Sequence, residues 1–265
     1  LGAVELRSQL QRAVGESVAL PSTLVFDHPT ARALSNFFAA NTPPPLARRI
    51  DRRRTADGAV PLACLVADLP GGARGLRLAW TLAATGADAF EASPTSRWDV
   101  GDGARLHGAF MADAQLFDNK AFGVAMPEAS TMDPQQRLLL ELGYAALHGA
   151  GLGRAELGGS DTAVYVGVMS TEFREVLPEE NAYAMTGTGH CFVAGRLSYA
   201  LGLHGPCEAI DVACSAALVA CHAAHRAVQT GDATCALFGG VNMMFAPSML
   251  AFYAASGLTS PSGAS

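Results

Sequence analysis

Leu6, Leu10 and Val14 recur every four residues with Arg and Gln between them, which predicts a helix that Gly15 stops. Leu20 to Pro29 reads as a loop with apolar anchors. Thr30 is the predicted N-cap of a second short helix with Leu34, Phe37 and Phe38 on its face. Two short amphipathic helices joined by a long anchored loop are too little for a stable domain. A missing N-terminal part is therefore expected.

From Val60 the pattern changes. Val60 to Val66 is a predicted strand, Leu69-Pro70-Gly71-Gly72 a turn, and Leu76 to Ala84 a helix containing Trp80. Arg97-Trp98-Asp99 and Leu116-Phe117-Asp118 lie in Gly- and Asp-rich loops. Asp133 and Gln136 frame a capping box with Pro134 at the first helical position. The helix they start is predicted to bury Leu138, Leu139, Leu142 and Ala146 and to stop near Gly149. Thr162 to Val168 is apolar almost throughout, as a strand covered on both faces should be. Ala182 to Leu201 contains a helix through Gly195-Arg196-Leu197-Ser198-Tyr199, followed by the turn Gly205-Pro206. A strand from Glu208 to Val212 breaks at Ala213-Cys214, and an Ala-rich buried helix runs on through Ala227. Cys235 to Phe238 is a further strand, Val241 to Phe245 extends its pattern, and Pro247 starts a last helix to Ala255. Gly239-Gly240 permits close backbone packing; with no Lys-Ser/Thr after it, it is not a phosphate loop. Strands alternating with helices predict an α/β layered fold.

Between the two parts, Asn41 to Gly58 holds Pro43-Pro44-Pro45 and then Arg48, Arg49, Arg52, Arg53 and Arg54, which reads as a semi-rigid, solvated linker. Contact of this basic cluster with an acidic partner domain is the other reading. The boundaries are 1–40, 41–59 and 60–265. The chain's 265 residues suit one large domain, or a domain plus a fragment. Half the residues are hydrophobic and mean hydropathy is +0.22, so the chain folds. No stretch approaches the length of a transmembrane helix. A net charge of -6 and a pI near 5.6 give no reason to expect a nucleic-acid partner. Most of the six cysteines (Cys64, Cys191, Cys207, Cys214, Cys221 and Cys235) sit in apolar runs and read as reduced and buried. That predicts a reducing, cytoplasmic setting. Leu1 opens mid-helix without an initiator Met or a signal peptide, as a segment of a longer polypeptide does.

The candidate chemistry centres on Cys214, at the seam between a strand and a helix. Unpaired N–H groups and the positive end of the helix dipole there lower a thiol's pKa. A thiol nucleophile also needs a proton shuttle and donors for an oxyanion. His225 nearly shares a face with Cys214, but eleven residues of helix put it roughly 16 Å away. Cys221, His222 and His225 on one helix, with no second ligand cluster, read as core residues and not as a metal site. His190 and His204 lie upstream in or near loops, and nothing in the pattern demands that they approach Cys214. On these residues alone Cys214 reads equally as a nucleophile or as a core thiol.

Several motifs carry a resemblance. Leu69-Pro70-Gly71-Gly72, Arg97-Trp98-Asp99, Leu116-Phe117-Asp118, Met132 to Glu141, Ala194-Gly195-Arg196-Leu197-Ser198-Tyr199, Gly205-Pro206 and Asp211 to Leu218 follow in that order. Gly239-Gly240-Val241-Asn242 and Gly257-Leu258 continue the series. Val60 to Ser265 resembles the N-terminal part of the β-ketoacyl synthase (ketosynthase) domain of modular polyketide synthases. Leu1 to Arg7 and Phe26-Asp27-His28-Pro29-Thr30 resemble the C-terminal end of an acyl carrier protein domain.

The resemblance implies a thiolase-like fold of two α/β halves, here the N-terminal half plus part of the second, preceded by two short carrier-protein-like helices. It implies a homodimer, and Cys214 as the acceptor of an acyl chain that a malonyl-type extender then attacks by decarboxylative Claisen condensation. Its partners are acyl carrier proteins bearing acyl and malonyl thioesters. The serine that carries phosphopantetheine would directly precede Leu1, so no cofactor-binding residue and no metal is expected in the chain. The family's catalytic histidines, its lysine and a glycine-rich oxyanion segment would lie beyond Ser265. The 265 residues alone are therefore expected to be inactive and to expose a large apolar face.

Three features depart from the family pattern. Asp211-Val212-Ala213-Cys214-Ser215-Ala216-Ala217 stands where Asp-Thr-Ala-Cys-Ser-Ser-Ser is usual, losing three hydroxyls. The first strand lacks its glycine in Ala63 to Asp68, and Thr188 and Cys191 replace the usual Asn and Ser. These departures motivate a second reading, a docking or scaffolding segment that no longer condenses. A cysteine hydrolase, the third, requires a histidine of this chain beside Cys214.

Overall fold

The computed structural model describes residues 6–7, 9–11, 20–21, 23–30, 33–34, 37–38, 59–94, 97–98, 107–169, 172–177, 181–260 and 263. The chain divides into two compact units, Leu1–Arg52 and Arg53–Ser265. In the first, residues 6–7 and 9–11 are helical and are tied to the loop that follows. Arg7 donates to the carbonyls of Leu20 and Pro21, and Gln11 accepts from Leu20 N at 2.9 Å. Leu20 and Leu24 are the buried anchors of that loop, the latter opening the short helix α1 (Leu24–Asp27). Thr30 Oγ1 accepts from Ala33 N at 3.1 Å, the predicted cap, and the His28 and Phe37 rings pack 4.8 Å apart. Val14, Gly15 and the linker Asn41–Gly58 lie outside the described residues.

The second unit opens with hairpin β1 (Asp68–Leu69) and β2 (Ala73–Arg74), helix α2 (Leu76–Thr85), and hairpin β3 (Glu91–Ala92) and β4 (His107–Gly108). Helices α3 (Met126–Thr131), α4 (Pro134–Gly149) and α5 (Arg154–Leu157) lead to the strand β5 (Ala163–Val168). Then come α6 (Ala184–Thr188), α7 (Phe192–Leu201), β6 (Cys207–Ile210), α8 (Ala216–Thr230), β7 (Ala236–Val241) and α9 (Pro247–Ala255). The three long strands form one parallel sheet in the order β6-β5-β7. Every residue of β5 is buried, because helices cover both of its faces. Val164, Val166 and Val168 point to Leu139, Leu140 and Leu147 of α4 and Val193, Ala194, Leu197 and Leu201 of α7. Ala163 and Tyr165 point the other way, to Ala220, Ala224 and Ala227 of α8. The alternation is the period-two rule of a strand, and it produces helix, sheet and helix layers.

Four expectations change. Val60 to Val66 is not a strand: a strand needs a partner edge, and no described strand pairs with it. On α4 the buried stripe is Leu139, Leu140, Gly143 and Leu147, while Leu138, Leu142 and Ala146 are half-buried. Gly143 sets this rotation, since a Cβ there would stand 2.8 Å from Leu197 Cδ2. Leu138 and Leu142 instead line a cavity of about 280 Å³ shared with Val66 and Val241. The strand β7 ends at Val241 and does not run to Phe245, because side chains take the N–H groups of Met243 and Phe245. Finally, none of the six cysteines is fully buried. All are unpaired, and Cys191, Cys207 and Cys214 are exposed, at a helix start, on an edge strand and in a turn. No described helix is long and apolar enough to cross a membrane.

Candidate active site

Cys214 sits where β6 gives way to α8, at the C-terminal ends of the parallel strands. The strand stops at Ile210 because Asp211 Oδ1 turns back to accept from Ala213 N at 3.0 Å. Ala213 then adopts φ 52°, a left-handed conformation unusual for a residue with a Cβ, and the single 3-10 turn Ala213–Ser215 carries the thiol outward. Ser215, the N-cap of α8, directs its hydroxyl to Val212 O at 2.9 Å. The first N–H groups of α8 thus lack a side-chain cap, and the positive end of a fifteen-residue helix faces the exposed thiol.

The floor beneath this turn is backbone. On the sheet face toward α8, Ile210, Gly167 and Gly240 lie abreast across β6, β5 and β7. A Cβ at Gly167 would stand 2.5 Å from Ala217 N and 2.7 Å from Ala216 O, and one at Gly240 would strike the Ala217 side chain. The first turn of α8 can settle onto the strand ends only because both positions lack a side chain. The glycine pair at 239–240 was expected to serve close packing, and Gly240 does. Gly167 gave no separate signal, being one glycine in an apolar strand.

A buried polar cluster holds the surroundings in place. Asp133 caps α4, its Oδ1 accepting from Gln135 N at 2.7 Å. Gln136 does not complete the expected capping box: its amide donates to the carbonyls of Thr186 and Gly187, and its Oε1 accepts from Arg196 Nε at 2.7 Å. Asp133 N donates to Gly187 O instead. Arg196 also pairs with Glu128 at 2.5 Å. Burial is the main cause that raises the Asp133 carboxyl to about 6, opposed by its bonds to Gln135 and the charge of Arg137, and reinforced by Glu172. Gln135 Oε1 accepts from Met243 N at 3.1 Å, and buried Glu172 accepts from Phe245 N and Ala246 N at 3.0 Å each. The segment between β7 and α9 is therefore fixed by two buried side chains. Glu172 had no sequence signal beyond being a charge in a polar stretch.

The histidines are spread over both ends of the sheet and along α8. The His190 ring is at the same end of the sheet, with its Nε2 2.7 Å from Val168 O. His204 precedes β6 and its N bonds Ser160 O, so it lies at the opposite end of the strands. His222 and His225, read from the sequence as core residues, are instead exposed on α8. Among the described residues no histidine is hydrogen-bonded to Cys214, and no group of three or more His, Cys, Asp or Glu residues could hold a metal. The cysteine-hydrolase reading finds no histidine directly bonded to Cys214 among the described residues.

Comparison with known proteins fits this geometry. Residues 63–265 match the family described as Beta-ketoacyl synthase, N-terminal domain. The chain belongs to the β-ketoacyl synthase family. It is 40% identical over 266 residues to polyketide synthase GfsB of Streptomyces halstedii, covering 93% of this chain and 5% of that protein. It is 38% identical to the pikromycin polyketide synthase component PikAII of Streptomyces venezuelae, covering 93% of this chain and 7% of that protein. The ketosynthase from module 6 of the bacillaene synthase of Bacillus subtilis 168 superimposes with a TM-score of 0.67 at 31% identity. That match covers 76% of this chain and 35% of the other, so the chain spans a small part of each relative it matches. The expected thiolase-like α/β fold is that of these ketosynthase neighbours. In the β-ketoacyl synthase frame, the run Asp133 to Arg137 is a structural hub that orders the loops around the strand ends.

Proposed function

We propose that Cys214 is the acyl acceptor of a polyketide synthase ketosynthase. The observation that carries this reading is an exposed thiol on the first turn before α8, above a glycine floor, in a β-ketoacyl synthase chain. The Cys214 thiolate attacks the carbonyl carbon of a carrier-bound acyl thioester. The new C–S bond forms as the old one breaks, and the carrier thiol leaves with a proton. A malonyl-type extender on a carrier protein then loses CO2, and its carbanion attacks the Cys214 thioester. A C–C bond forms and the cysteine leaves as thiolate. The N–H groups at the start of α8 suit the oxyanion of each tetrahedral intermediate. Among the described residues no histidine is hydrogen-bonded to Cys214, in keeping with proton-handling groups supplied elsewhere in a full-length polypeptide.

Residues 1–40 are read as the end of a carrier-protein domain, 41–59 as a linker and 60–265 as ketosynthase. The capped helix at Thr30 and the loop tied down by Arg7 support the first assignment. The phosphopantetheine arm belongs to the carrier protein that delivers the thioester, and no residue of this chain is assigned to bind it. The outer edge of β6, where Cys207 and Glu208 are exposed, suits strand pairing with a second copy in a homodimer. Six unpaired thiols suit a reducing cytoplasm. The test is condensation by the full-length polypeptide supplied with acyl- and malonyl-carrier thioesters. The expected product is two carbons longer, with release of CO2 and with loss of product in Cys214→Ala. A folded protein that binds carrier protein but forms no product would support the scaffold reading instead.

A further inference from the structure

The helix α9 brings a phenol hydroxyl to the end of the sheet that carries Cys214. Its approach is fixed by the bonds of Gln135 to Met243 N and of Glu172 to Phe245 N and Ala246 N. From there the helix extends so that Tyr253 Oη donates to Met169 Sδ at 3.7 Å. Met169 is the first residue after β5. It lies two residues beyond Gly167, whose position is covered by the backbone of Ala216 and Ala217, just after Cys214. The His190 ring bonds Val168 O at the same strand end. Met169, Tyr253 and Cys214 thus belong to the same end of the sheet, where the first turn of α8 rests on β5.

Burial, then the charge of Glu172 and that of an ionised Cys214, push the Tyr253 hydroxyl above its usual range, so it stays a neutral donor. A thioether sulfur is a weak acceptor. Among the described residues it is the acceptor this half-buried hydroxyl has, and an oxygen brought to the site would be a better one.

We propose that Tyr253 is a specificity-determining residue of the Cys214 site. Its hydroxyl leaves Met169 and donates to an oxygen substituent on the acyl chain held by Cys214, favouring chains oxygenated near the thioester over saturated ones. The proposal rests on the acyl-acceptor reading of Cys214. It assigns Tyr253 to the substituent and not to the thioester carbonyl, which every acyl chain shares.

The full-length polypeptide is incubated with N-acetylcysteamine thioesters of 3-hydroxybutanoate and of butanoate, and acylation of Cys214 is timed by mass spectrometry. The unmodified protein is expected to favour the 3-hydroxy chain by about threefold to tenfold, the range of one neutral hydrogen bond. Tyr253→Phe, which keeps the ring and its packing, is expected to bring that ratio to about one. An unmodified ratio near one, or a Tyr253→Phe ratio as large as the unmodified one, overturns the proposal. So does an equal loss of both rates, which would mark Tyr253 as a group acting on the thioester itself. If neither thioester labels Cys214, the acyl-acceptor reading fails first, an outcome distinct from the others.

Discussion

Replacing Gly167 by alanine tests the floor beneath Cys214. The added Cβ would lie 2.5 Å from Ala217 N and 2.7 Å from Ala216 O, with the Ala216 carbonyl carbon closer still. Ordinary contact for a Cβ begins near 3.4 Å, so the first turn of α8 must lift by about 1 Å. The obstructing atoms are backbone, and no side-chain rotation relieves them. Overpacking of this kind costs about 1–3 kcal/mol. A shift of about 1 Å at a reacting atom can lower a rate by about 100-fold. Gly167→Ala is therefore expected to lower the melting temperature of the full-length protein and to slow acylation of Cys214 by one to two orders of magnitude. Gly239→Ala is the matched control, because a Cβ there meets Leu139 Cδ2 at 3.5 Å, an ordinary contact. It should change both readouts little. Equal effects of the two substitutions, or normal acylation in Gly167→Ala, would refute the close approach of α8.

Two further substitutions probe the turn and the buried cluster. Ala213 holds φ 52°, so Ala213→Val should cost about 1–2 kcal/mol while Ala213→Gly is neutral or slightly stabilising, as thermal melts would show. Asp133 has its carboxyl raised from 3.8 to about 6, so the native state holds a proton there that the unfolded chain releases near pH 4. The resulting stability is fully present below about pH 4 and is lost as pH rises through about 6, a difference on the order of 3 kcal/mol. Asp133→Asn keeps a capping oxygen without the titration. Denaturation between pH 4 and 7 should show the unmodified protein losing stability relative to this variant as pH rises, and parallel pH profiles would refute the assignment.

Much of this architecture is legible in the residues because local patterns and tertiary packing agree. The uninterrupted apolar run of β5 marks a strand covered twice. Pro134 and Pro247 mark helix starts that the structure keeps, and Ala213-Cys214 marks the break where the thiol sits. Other features were hidden because they depend on contacts distant in sequence. Gln136 looks like half of a capping box, yet its partners are Thr186, Gly187 and Arg196. Val60 to Val66 has strand composition but no described neighbour to pair with. Gly167 matters only through the helix that lands on it, and Tyr253 only through the turn that Glu172 anchors. The exposure of Cys191, Cys207 and Cys214 also defies their apolar neighbourhoods. Composition reports the average surroundings of a stretch, while a turn or a sheet edge sets the surroundings of one side chain.

The central claim, that Cys214 accepts the acyl chain, is tested most directly by covalent mapping. The full-length protein is incubated with an acyl thioester, digested and mapped by mass spectrometry, with Cys214→Ala alongside. The account predicts the acyl mass on the peptide carrying Cys214 and none in the variant, although Cys191 and Cys207 are also exposed. A folded protein with Cys214 unlabelled, or with the label spread over the exposed cysteines, would contradict it.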